Sequence, residues 1–377
     1  MADAIESILG QPKVRAYLRS SLKSGRISHA YLFVGPAGSN KTQAAYALAQ
    51  ALLCEQKASV LGGCTTCDTC RRIARKKHPD VRYCAPQGAS GYLVEQIREI
   101  VSDTSLAPIQ AEKKIYILDR VDRMNAAAAN AFLKTLEEPA RDVVLILLAR
   151  TCESVLPTIL SRCQVIPFRH IPATESARIL VQNTGVSLDA ARAAIQACDG
   201  SLDRAAEFLK SSERCSLRKN VLESMSRLRL ADDWDLIEQV HELADEMKVP
   251  LDAVRAEQEQ EIAEYADFFE KSAIRQIEMR NKRALSAKTT ELTHQMLACV
   301  RGWLRDVMAS CAGTPELIIN VDVRESVTEA ALYTTEAKAA AALLCVDDCE
   351  AAMAYNVSPE TCLDVLLLEV KEKLFEK

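Results

Sequence analysis

The stretch HAYLFVGPAGSNKT, residues 29–42, determines the fold of the N-terminal part of the chain. The apolar run 30–34 predicts a buried strand that stops at Gly35, and the alanine-rich segment after Lys41 and Thr42 predicts a helix. A glycine turn between a strand and a helix points backbone N–H groups at a phosphate. In such a loop Lys41 would reach the outer phosphates of ATP and the Thr42 hydroxyl would reach Mg²⁺.

The loop has the spacing of a phosphate-binding loop, GxxxxGK[ST], except that Asn40 replaces the second glycine. Glycine is used there because the backbone adopts positive φ and approaches the phosphate closely; asparagine tolerates the first demand but adds a side chain at the second. Two interpretations follow: a loop that binds ATP and Mg²⁺, with Gly35 and Gly38 in its backbone, or a structural turn inherited from a nucleotide-binding ancestor.

Composition describes an ordinary globular protein with room for two or three domains, since the chain has 377 residues, 49% of them apolar and 26% charged. The N-terminus lacks a signal-peptide pattern and no apolar stretch approaches about 18 residues, so we expect a cytoplasmic protein that does not enter the membrane. The net charge is −5, with an excess of positive charge in residues 1–170. This part favours nucleic acid as a partner, and the acidic remainder favours protein.

Strands and helices alternate through the first 170 residues. Further strands are predicted at residues 81–85, 115–118, 143–149 and 164–167, and the third of them is almost unbroken in its apolar character. Such runs are typical of a parallel sheet that is buried on both faces. The prediction is an α/β sheet covered by helices, with ligands at the carboxyl ends of the strands.

Strand signals stop after Pro172. Residues 171–212 predict three short helices that could form a lid, and residues 213–377 predict an all-helical domain. This domain includes a long charged stretch at residues 253–282 and a last helix that begins at Ser358-Pro359 and carries a leucine stripe.

Four of the fourteen cysteines lie together in an insertion at residues 54–78. They form a C-x9-C-x2-C-x2-C pattern, which offers four soft ligands for a tetrahedral Zn²⁺ site. Free buried thiols and an iron–sulfur cluster are the alternatives, and no Cys-Pro follows at the distance that a ferredoxin pattern needs. Because a site with four cysteine ligands has no open position for water, the zinc would be structural. The predicted ligands are Cys54, Cys64, Cys67 and Cys70.

Asp119 ends an apolar strand, where a P-loop protein places the carboxylate that holds Mg²⁺ through water. An ATPase needs a second carboxylate beside it to orient the attacking water and take its proton. The next residue is Arg120, whose guanidinium stays protonated and cannot be that base. We therefore expect little or no ATP hydrolysis by this chain. The alternative is that Asp119 is an ordinary residue at a strand end.

Two basic features remain. The cluster at residues 71–77 follows the cysteines and predicts either a solvated helix face or a contact with phosphates of DNA. Arg162, in LPTILSRCQ at residues 156–164, is predicted at the end of a helix beside the last strand. Taken alone, it would be a helix C-terminal charge.

Together, HAYLFVGPAGSNKT, the four cysteines with HPDV, YILDRVDRMNAAAANAFLKTLEEP and LPTILSRC resemble the AAA+ clamp-loader subunits of bacterial DNA polymerase III. The resemblance is dense over the first 170 residues and returns at residues 200–209, 303–307 and 356–370. It implies three domains: an AAA+ core (1–170), a lid (171–212) and a helical collar (213–377) that assembles into a hetero-oligomeric ring.

Two subunit types share this pattern, the ATP-hydrolysing gamma/tau motor and the delta-prime subunit. Asn40, Arg120 and Arg150, the last in place of a threonine or asparagine sensor, favour the delta-prime type, as does the spacing of Arg204 from Gly200. In the family the arginine of SRC acts in trans on ATP held by a neighbour, so the resemblance gives that role to Arg162. It implies gamma/tau and delta subunits, a sliding clamp and primer-template DNA as partners, in DNA replication.

Two alternatives remain open. One is a gamma/tau-like motor in which Glu137 or Glu138 replaces the missing base. The other is a zinc-containing DNA-binding regulator on a decayed P-loop scaffold, against which the overall acidity and the lack of a recognition-helix pattern argue.

Overall fold

The computed structural model describes residues 3–87, 91–198, 200–265, 271–353 and 357–376. The chain divides into two compact units, one made of residues 1–179 with 201–203 and the other of residues 180–200 with 204–377. The residues predicted as a lid, 171–212, are thus shared between the two units. The three-domain organisation stays a prediction.

The first unit is built on one parallel five-stranded sheet with the order β2-β3-β4-β1-β5. The chain therefore crosses over the sheet between strands, and helices cover both of its faces. The strands are β1 (Ala30–Val34), β2 (Val81–Cys84), β3 (Lys114–Leu118), β4 (Val143–Ala149) and β5 (Gln164–Pro167).

Helices make up most of the remaining chain. Those that begin in the first unit are α1 (Pro12–Ser24), α2 (Lys41–Leu53), α3 (Asp68–Ala74), α4 (Val94–Thr104), α5 (Ala126–Glu137), α6 (Pro157–Leu160), α7 (Ala173–Thr184) and α9 (Leu202–Phe208). Those of the second unit are α8 (Leu188–Ala197), α10 (Ser212–Arg227), α11 (Asp233–Tyr265), α12 (Lys271–Cys311), α13 (Arg324–Ala331), α14 (Glu336–Met353) and α15 (Pro359–Phe375).

Strand β1, which lies between β4 and β5, is buried on both faces. Tyr31 and Phe33 pack into one hydrophobic core, whereas Leu32 packs into the core on the opposite face. All five residues of β1 and all seven of β4 are buried, which explains their unbroken apolar sequence. The loops at the carboxyl ends of β1, β3 and β4 consequently emerge along one edge of the sheet, which we name the phosphate edge.

The predicted elements agree with these bounds within a few residues. The strands at residues 30–34, 143–149 and 164–167 are confirmed as predicted. The helix predicted over residues 156–162 is shorter, because α6 begins at Pro157 and ends at Leu160. Arg162 therefore lies in the turn between α6 and β5 rather than in a helix.

The second unit is a helical assembly in which α12 contacts α8, α10, α11, α13 and α14. Trp303 of α12 is the largest of its fully buried side chains. The stripe on α15 is buried, including Leu363, Leu366, Leu367 and Val370. The predicted charged stretch 253–282 is helical where it is described, and residues 266–270 within it lie outside the described residues. Within the described ranges, no helix combines the length and apolar content that a membrane span needs.

Candidate functional site

The loop between β1 and α2 has the backbone of a phosphate-binding turn. Gly38 and Asn40 both have positive φ, 74° and 64°, and α2 begins immediately afterwards at Lys41. Gly35 is required by close packing, because a Cβ there would lie 2.5 Å from the carbonyl oxygen of Phe168. The loop therefore needs Gly35 for close packing and Gly38 for its positive φ. Asn40 adopts the left-handed conformation that a glycine at its position would otherwise supply.

The side chain of Asn40 is directed toward the segment before α1. Its Nδ2 donates to the carbonyl oxygen of Leu9 at 3.1 Å, and the residue is 6% exposed. Beside it, Gln11 donates through Nε2 to the carbonyls of Ser39 (3.1 Å) and Arg169 (2.7 Å). These bonds tie the loop to the segment before α1. The asparagine side chain thus serves as an anchor and leaves the loop's concave side to the backbone.

Lys41 folds back over the loop. Its Nζ donates to the carbonyl oxygens of Gly35 at 2.5 Å and Pro36 at 2.7 Å, and to Ser39 Oγ at 3.2 Å. Burial lowers the pKa of Lys41 to about 8, and the nearby charges of Arg150 and Arg120 add to this, while Asp119 acts against it. The ammonium is therefore bonded to three acceptors of the loop itself.

Asp119 follows β3 directly, so the structure brings it to the phosphate edge with Lys41. Arg150 follows β4 and joins them there. Both carboxylate oxygens of Asp119 are engaged: Oδ1 accepts the backbone N–H of Arg120 at 2.9 Å, and Oδ2 accepts the hydroxyl of Tyr83 at 2.7 Å.

Arg120 stands directly after Asp119, where an ATPase of this kind carries its catalytic carboxylate. Its φ is 52°, and its guanidinium pairs with Asp122, whose side chain is only 7% exposed, at 3.0 Å. An arginine held in this ion pair provides a fixed positive charge and no proton acceptor.

The four cysteines form one compact cluster. Their sulfur atoms all lie within 4.8 Å of one another, and all four residues are buried. Four Zn–S bonds of about 2.3 Å in a tetrahedron place the sulfurs about 3.8 Å apart. The cluster therefore fits a single tetrahedral ion and leaves little room for the several metal and sulfide ions of an iron–sulfur cluster.

The backbone around the cysteines also fits such an ion. Backbone N–H groups donate to the sulfurs of Cys54, Cys64 and Cys67 at 3.2–3.4 Å. Cys67 is the N-cap of α3, and Cys54 is the C-cap of α2. An ion at this position would join the two helices.

Arg162 lies at the edge of the sheet opposite the phosphate edge, because it is two residues before the start of β5, and β5 runs parallel to β1. The length of β1 separates it from the chain's own phosphate loop by roughly 15 Å along the strands. Its Nε donates to Glu137 Oε1 at 2.8 Å, and Nη1 donates to the carbonyl of Thr158 at 2.9 Å. Its side chain remains 32% exposed. This guanidinium is thus oriented at the surface and remote from Lys41.

Glu137 and Glu138 do not reach the phosphate edge. Both stand at the end of α5, just before the chain enters β4, and Glu137 is paired with Arg162. Neither glutamate can therefore act as the catalytic base at this chain's own phosphate loop. The prediction that one of them replaces the missing base there is wrong. They were candidates only because they are carboxylates near Arg120 in the sequence.

Arg204 belongs to the second unit and is described there by itself. Its Nη2 donates to the carbonyl of Cys198 at 3.4 Å, and it lines a small cavity with Glu291 and Gln295. Arg214 closes that cavity through an ion pair with Glu291 at 2.9 Å. A nucleotide contact by Arg204 stays a prediction.

The basic cluster at residues 71–77 is largely solvated. Arg72 pairs with Asp68 at 2.7 Å, and the ammonium of Lys76 lies 5.8 Å from the centre of the Tyr46 ring. The other members, Arg71, Arg75 and Lys77, are exposed.

Two residues of the site, Gln11 and Tyr83, were missed from the sequence, and so was the pairing of Glu137 with Arg162. Gln11 is buried beside the loop although it lies about thirty residues earlier in the chain. A polar residue between Gly10 and Pro12, before an amphipathic helix, was the signal that could have marked it. Tyr83 could have been found only by pairing β2 with β3.

A parallel sheet of this order, a glycine turn after β1 and an acidic residue at the end of β3 define an α/β domain of the P-loop type. Residues 10–172 match the family model described as "DNA polymerase III, delta subunit". Over these residues, which are fewer than half of the chain, the sequence is similar to subunits of DNA polymerase III.

Similar proteins include both subunit types of this family. The chain is 37% identical to DNA polymerase III subunit delta' of Bacillus subtilis over 46% of this chain and 52% of that protein. It is 35% identical to DNA polymerase III subunit tau of the same organism over 52% of this chain and 34% of that protein. The chain thus spans about half the length of the first relative and a third of the second. A solved structure, a DNA polymerase III gamma subunit-related protein from Thermotoga maritima, aligns over 94% of this chain and 99% of its own, with 16% identity and a TM-score of 0.39.

Proposed function

We propose that this chain is a clamp-loader subunit of DNA polymerase III that acts as a stator of the delta-prime type. It assembles with gamma/tau and delta subunits in the cytoplasm, and the assembly loads a sliding clamp onto primer-template DNA. In it, Arg162 stabilises the transition state of ATP hydrolysis on a neighbouring gamma/tau subunit. The chain itself hydrolyses little or no ATP.

The observation that carries this proposal is the position of Arg162. The guanidinium is exposed and oriented by Glu137, yet it lies at the edge of the sheet opposite the chain's own phosphate loop. A surface arginine that cannot reach the nucleotide of its own chain is suited to a nucleotide held by another. Such an arginine can increase phosphoryl transfer about 10³–10⁵-fold.

The stator role rests on the residue that follows Asp119. Hydrolysis needs a group that orients the attacking water and accepts its proton, and Arg120 is a cation tied to Asp122. The phosphate loop nevertheless keeps Lys41, Thr42 and the backbone conformation that phosphate binding requires. We infer that the chain binds ATP without turning it over.

The cysteine cluster supports a structural Zn²⁺ held by Cys54, Cys64, Cys67 and Cys70. When bound, the ion would fix the end of α2 against the start of α3 and supply no reaction chemistry, since all four positions are taken by thiolates.

The test is reconstitution of the complete assembly with Arg162→Ala. Hydrolysis at the one neighbouring site that Arg162 contacts should fall by about 10³-fold. The total ATPase rate of the assembly, stimulated by clamp and primed DNA, should therefore lose the contribution of that site. Arg98→Ala, at an exposed arginine of α4, is the matched control and should leave the rate unchanged. An intact assembly whose rate is unaffected by Arg162→Ala would contradict the proposed role in trans.

A second measurement separates stator from motor. The purified chain should show no steady ATP turnover with Mg²⁺, alone or with DNA. Turnover that disappears in Lys41→Ala would assign motor activity to this chain instead.

A further inference from the structure

The basic cluster at residues 71–77 is an exposed, positively charged surface that the proposed function leaves without a role. No acidic residue lies among its five cationic residues, and all five are exposed: Arg71, Arg72, Arg75, Lys76 and Lys77. Within the described ranges, Arg72 pairs with Asp68, whereas no ion pair engages Arg71, Arg75 or Lys77. Because neighbouring like charges repel each other, this surface favours an anionic partner.

Arg71 and Arg75 lie on one face of α3. They are four residues apart, and Arg75 is the C-cap of the helix, so their side chains are neighbours. The nearby carboxylate of Glu55 accepts the backbone N–H of Thr69 at 3.1 Å and its hydroxyl at 2.7 Å, rather than pairing with either arginine. Both guanidinium groups can therefore donate to the phosphate oxygens of a ligand.

The end of α3 fixes the next cation, Lys76, in an uncommon backbone conformation. The N–H of Lys76 donates to the carbonyl oxygen of Ile73, and the N–H of Lys77 donates to that of Arg72, each at 2.9 Å. This pair of bonds ends the helix at a residue with positive φ, which is 59° for Lys76. Glycine is the usual residue at such a position, and a lysine there is less favourable. The chain thus has a cation where glycine would be the more stable choice.

An exposed aromatic ring lies beside this cation. Tyr83 of β2 is 43% exposed, and its ring stacks on the buried ring of Tyr46, with centroids 6.4 Å apart and planes 18° from parallel. The ammonium of Lys76 lies 5.8 Å from the centre of the same Tyr46 ring. Tyr83 and Lys76 therefore both contact Tyr46, and the basic cluster continues into an aromatic surface.

The ring of Tyr83 is held in place by the fold. Its hydroxyl donates to Asp119 Oδ2 at 2.7 Å, across the pairing of β2 with β3. The hydroxyl of Tyr92 donates to the backbone carbonyls of Cys84 (2.7 Å) and Asp119 (2.6 Å), so the segments that carry Tyr83 and Asp119 are joined twice. A ring that is already ordered loses little conformational entropy when another planar group packs on it.

We propose that the basic cluster and Tyr83 bind single-stranded DNA, with phosphates on the cations and a base stacked on the tyrosine. Proteins that bind single strands without sequence preference combine these two features, a positive surface and an ordered aromatic ring. An acidic protein segment would also neutralise the charges, but it has no need of the ring. The inference goes beyond the proposed function, in which the assembly as a whole meets DNA.

The first experiment measures binding of a dye-labelled oligo(dT) strand to the full chain by fluorescence anisotropy over a series of salt concentrations. Arg71→Ala combined with Arg75→Ala should weaken binding several-fold at low salt. It should also reduce the slope of log K against log salt by about 0.7 for each arginine, because each phosphate contact releases counterions. Lys23→Ala combined with Arg26→Ala removes the same charge from an exposed site at the end of α1 and should leave the slope unchanged.

The second experiment tests the ring at one low salt concentration. Tyr83→Phe keeps the aromatic face and should bind oligo(dT) within about twofold of the natural chain. Tyr83→Leu keeps an apolar contact with Tyr46 but has no aromatic face, so its binding should weaken about tenfold. Thermal melting of both variants establishes that they are folded.

Four results would overturn the inference: no binding by the natural chain at low salt, an unchanged salt slope in the double arginine variant, equal binding by Tyr83→Leu and Tyr83→Phe, or displacement of oligo(dT) by polyglutamate as efficiently as by unlabelled oligo(dT). The last result would assign the surface to an acidic protein partner. The measurements contain neither nucleotide nor another subunit, so they are independent of ATP binding and of the role of Arg162.

Discussion

Arg162 and Glu137 form an ion pair across the turn that joins α6 to β5, although 25 residues separate them in the sequence. Glu137 is the last residue of α5, and Arg162 precedes β5, so the pair is built by two elements that meet at the same edge of the sheet. The arginine is therefore pre-oriented before any partner binds. Less side-chain entropy remains to be lost when it meets a phosphate.

The first prediction concerns Glu137→Gln in the reconstituted assembly. The amide can still accept a hydrogen bond but loses its charge, so the guanidinium should be held less firmly. We expect a several-fold loss of the hydrolysis that depends on Arg162, smaller than that caused by Arg162→Ala. The thermal stability of the chain should change little, because a half-exposed ion pair contributes only about 0.2–1 kcal/mol to the free energy of unfolding.

Glu138→Gln is the control for this prediction, since Glu138 is the exposed neighbour at the end of the same helix. A double substitution at Glu137 and Arg162 should be no worse than Arg162→Ala alone. If the two losses add instead, the carboxylate acts by some route other than orienting the arginine.

Much of the first unit could be predicted from the sequence because its strands are buried on both faces. The run at residues 143–149 has no polar interruption, and its bounds were therefore read correctly. The left-handed conformation at Asn40 followed from the loop pattern in the same way. The local sequence pattern was therefore enough to predict an element wherever the burial of that element alone determines its bounds.

Contacts between elements could not be read from the same pattern. The bond from Tyr83 to Asp119 depends on β2 pairing with β3, and the ion pair of Arg162 depends on where α5 ends. The sequence alone therefore offers Glu137 as a candidate base, although it pairs with Arg162 at the opposite edge of the sheet. Spacing along the chain shows which residues share a face, whereas the register between strands shows which of them meet.

The second prediction concerns Asn40, whose backbone is left-handed and whose amide bonds to Leu9. Asn40→Ala should lose the buried hydrogen bond and incur the left-handed penalty of a residue with a Cβ, lowering the free energy of unfolding by about 2 kcal/mol. Asn40→Gly loses only the hydrogen bond, so its loss should be about 1 kcal/mol or less. Urea denaturation of both variants measures the difference. Equal losses in the two variants would show that the left-handed backbone is not what requires asparagine.

The third prediction concerns the cysteine cluster. The purified chain should contain one zinc ion, and removing it with a strong chelator should lower the melting temperature by several degrees, because ion binding is coupled to folding of the insertion. Cys70→Ser should reproduce this loss, since Cys70 is fully buried within the cluster. Cys152→Ser, at a half-buried cysteine outside it, should retain the zinc.

Elemental analysis and the visible absorption spectrum decide between the ions. Iron with a charge-transfer band near 400 nm would contradict the zinc assignment. A chelated chain that melts at an unchanged temperature would contradict the structural role of the ion.

The last prediction concerns the pH dependence of ATP binding. Burial lowers the pKa of Lys41 to about 8, so the free chain carries a charged ammonium at pH 7 and loses it as the pH rises through 8. A bound triphosphate favours the charged form, which means that binding must supply the missing proton above that pH. Affinity for ATP should therefore be nearly constant between pH 6.5 and 7.5 and then weaken by up to about tenfold for each further pH unit.

Lys41→Arg is the matched variant, because a guanidinium stays charged throughout. Whatever its absolute affinity, its dissociation constant should not change between pH 7 and 9. An equal pH dependence in both proteins would mean that another group, and not the lysine held by the loop carbonyls, titrates on binding.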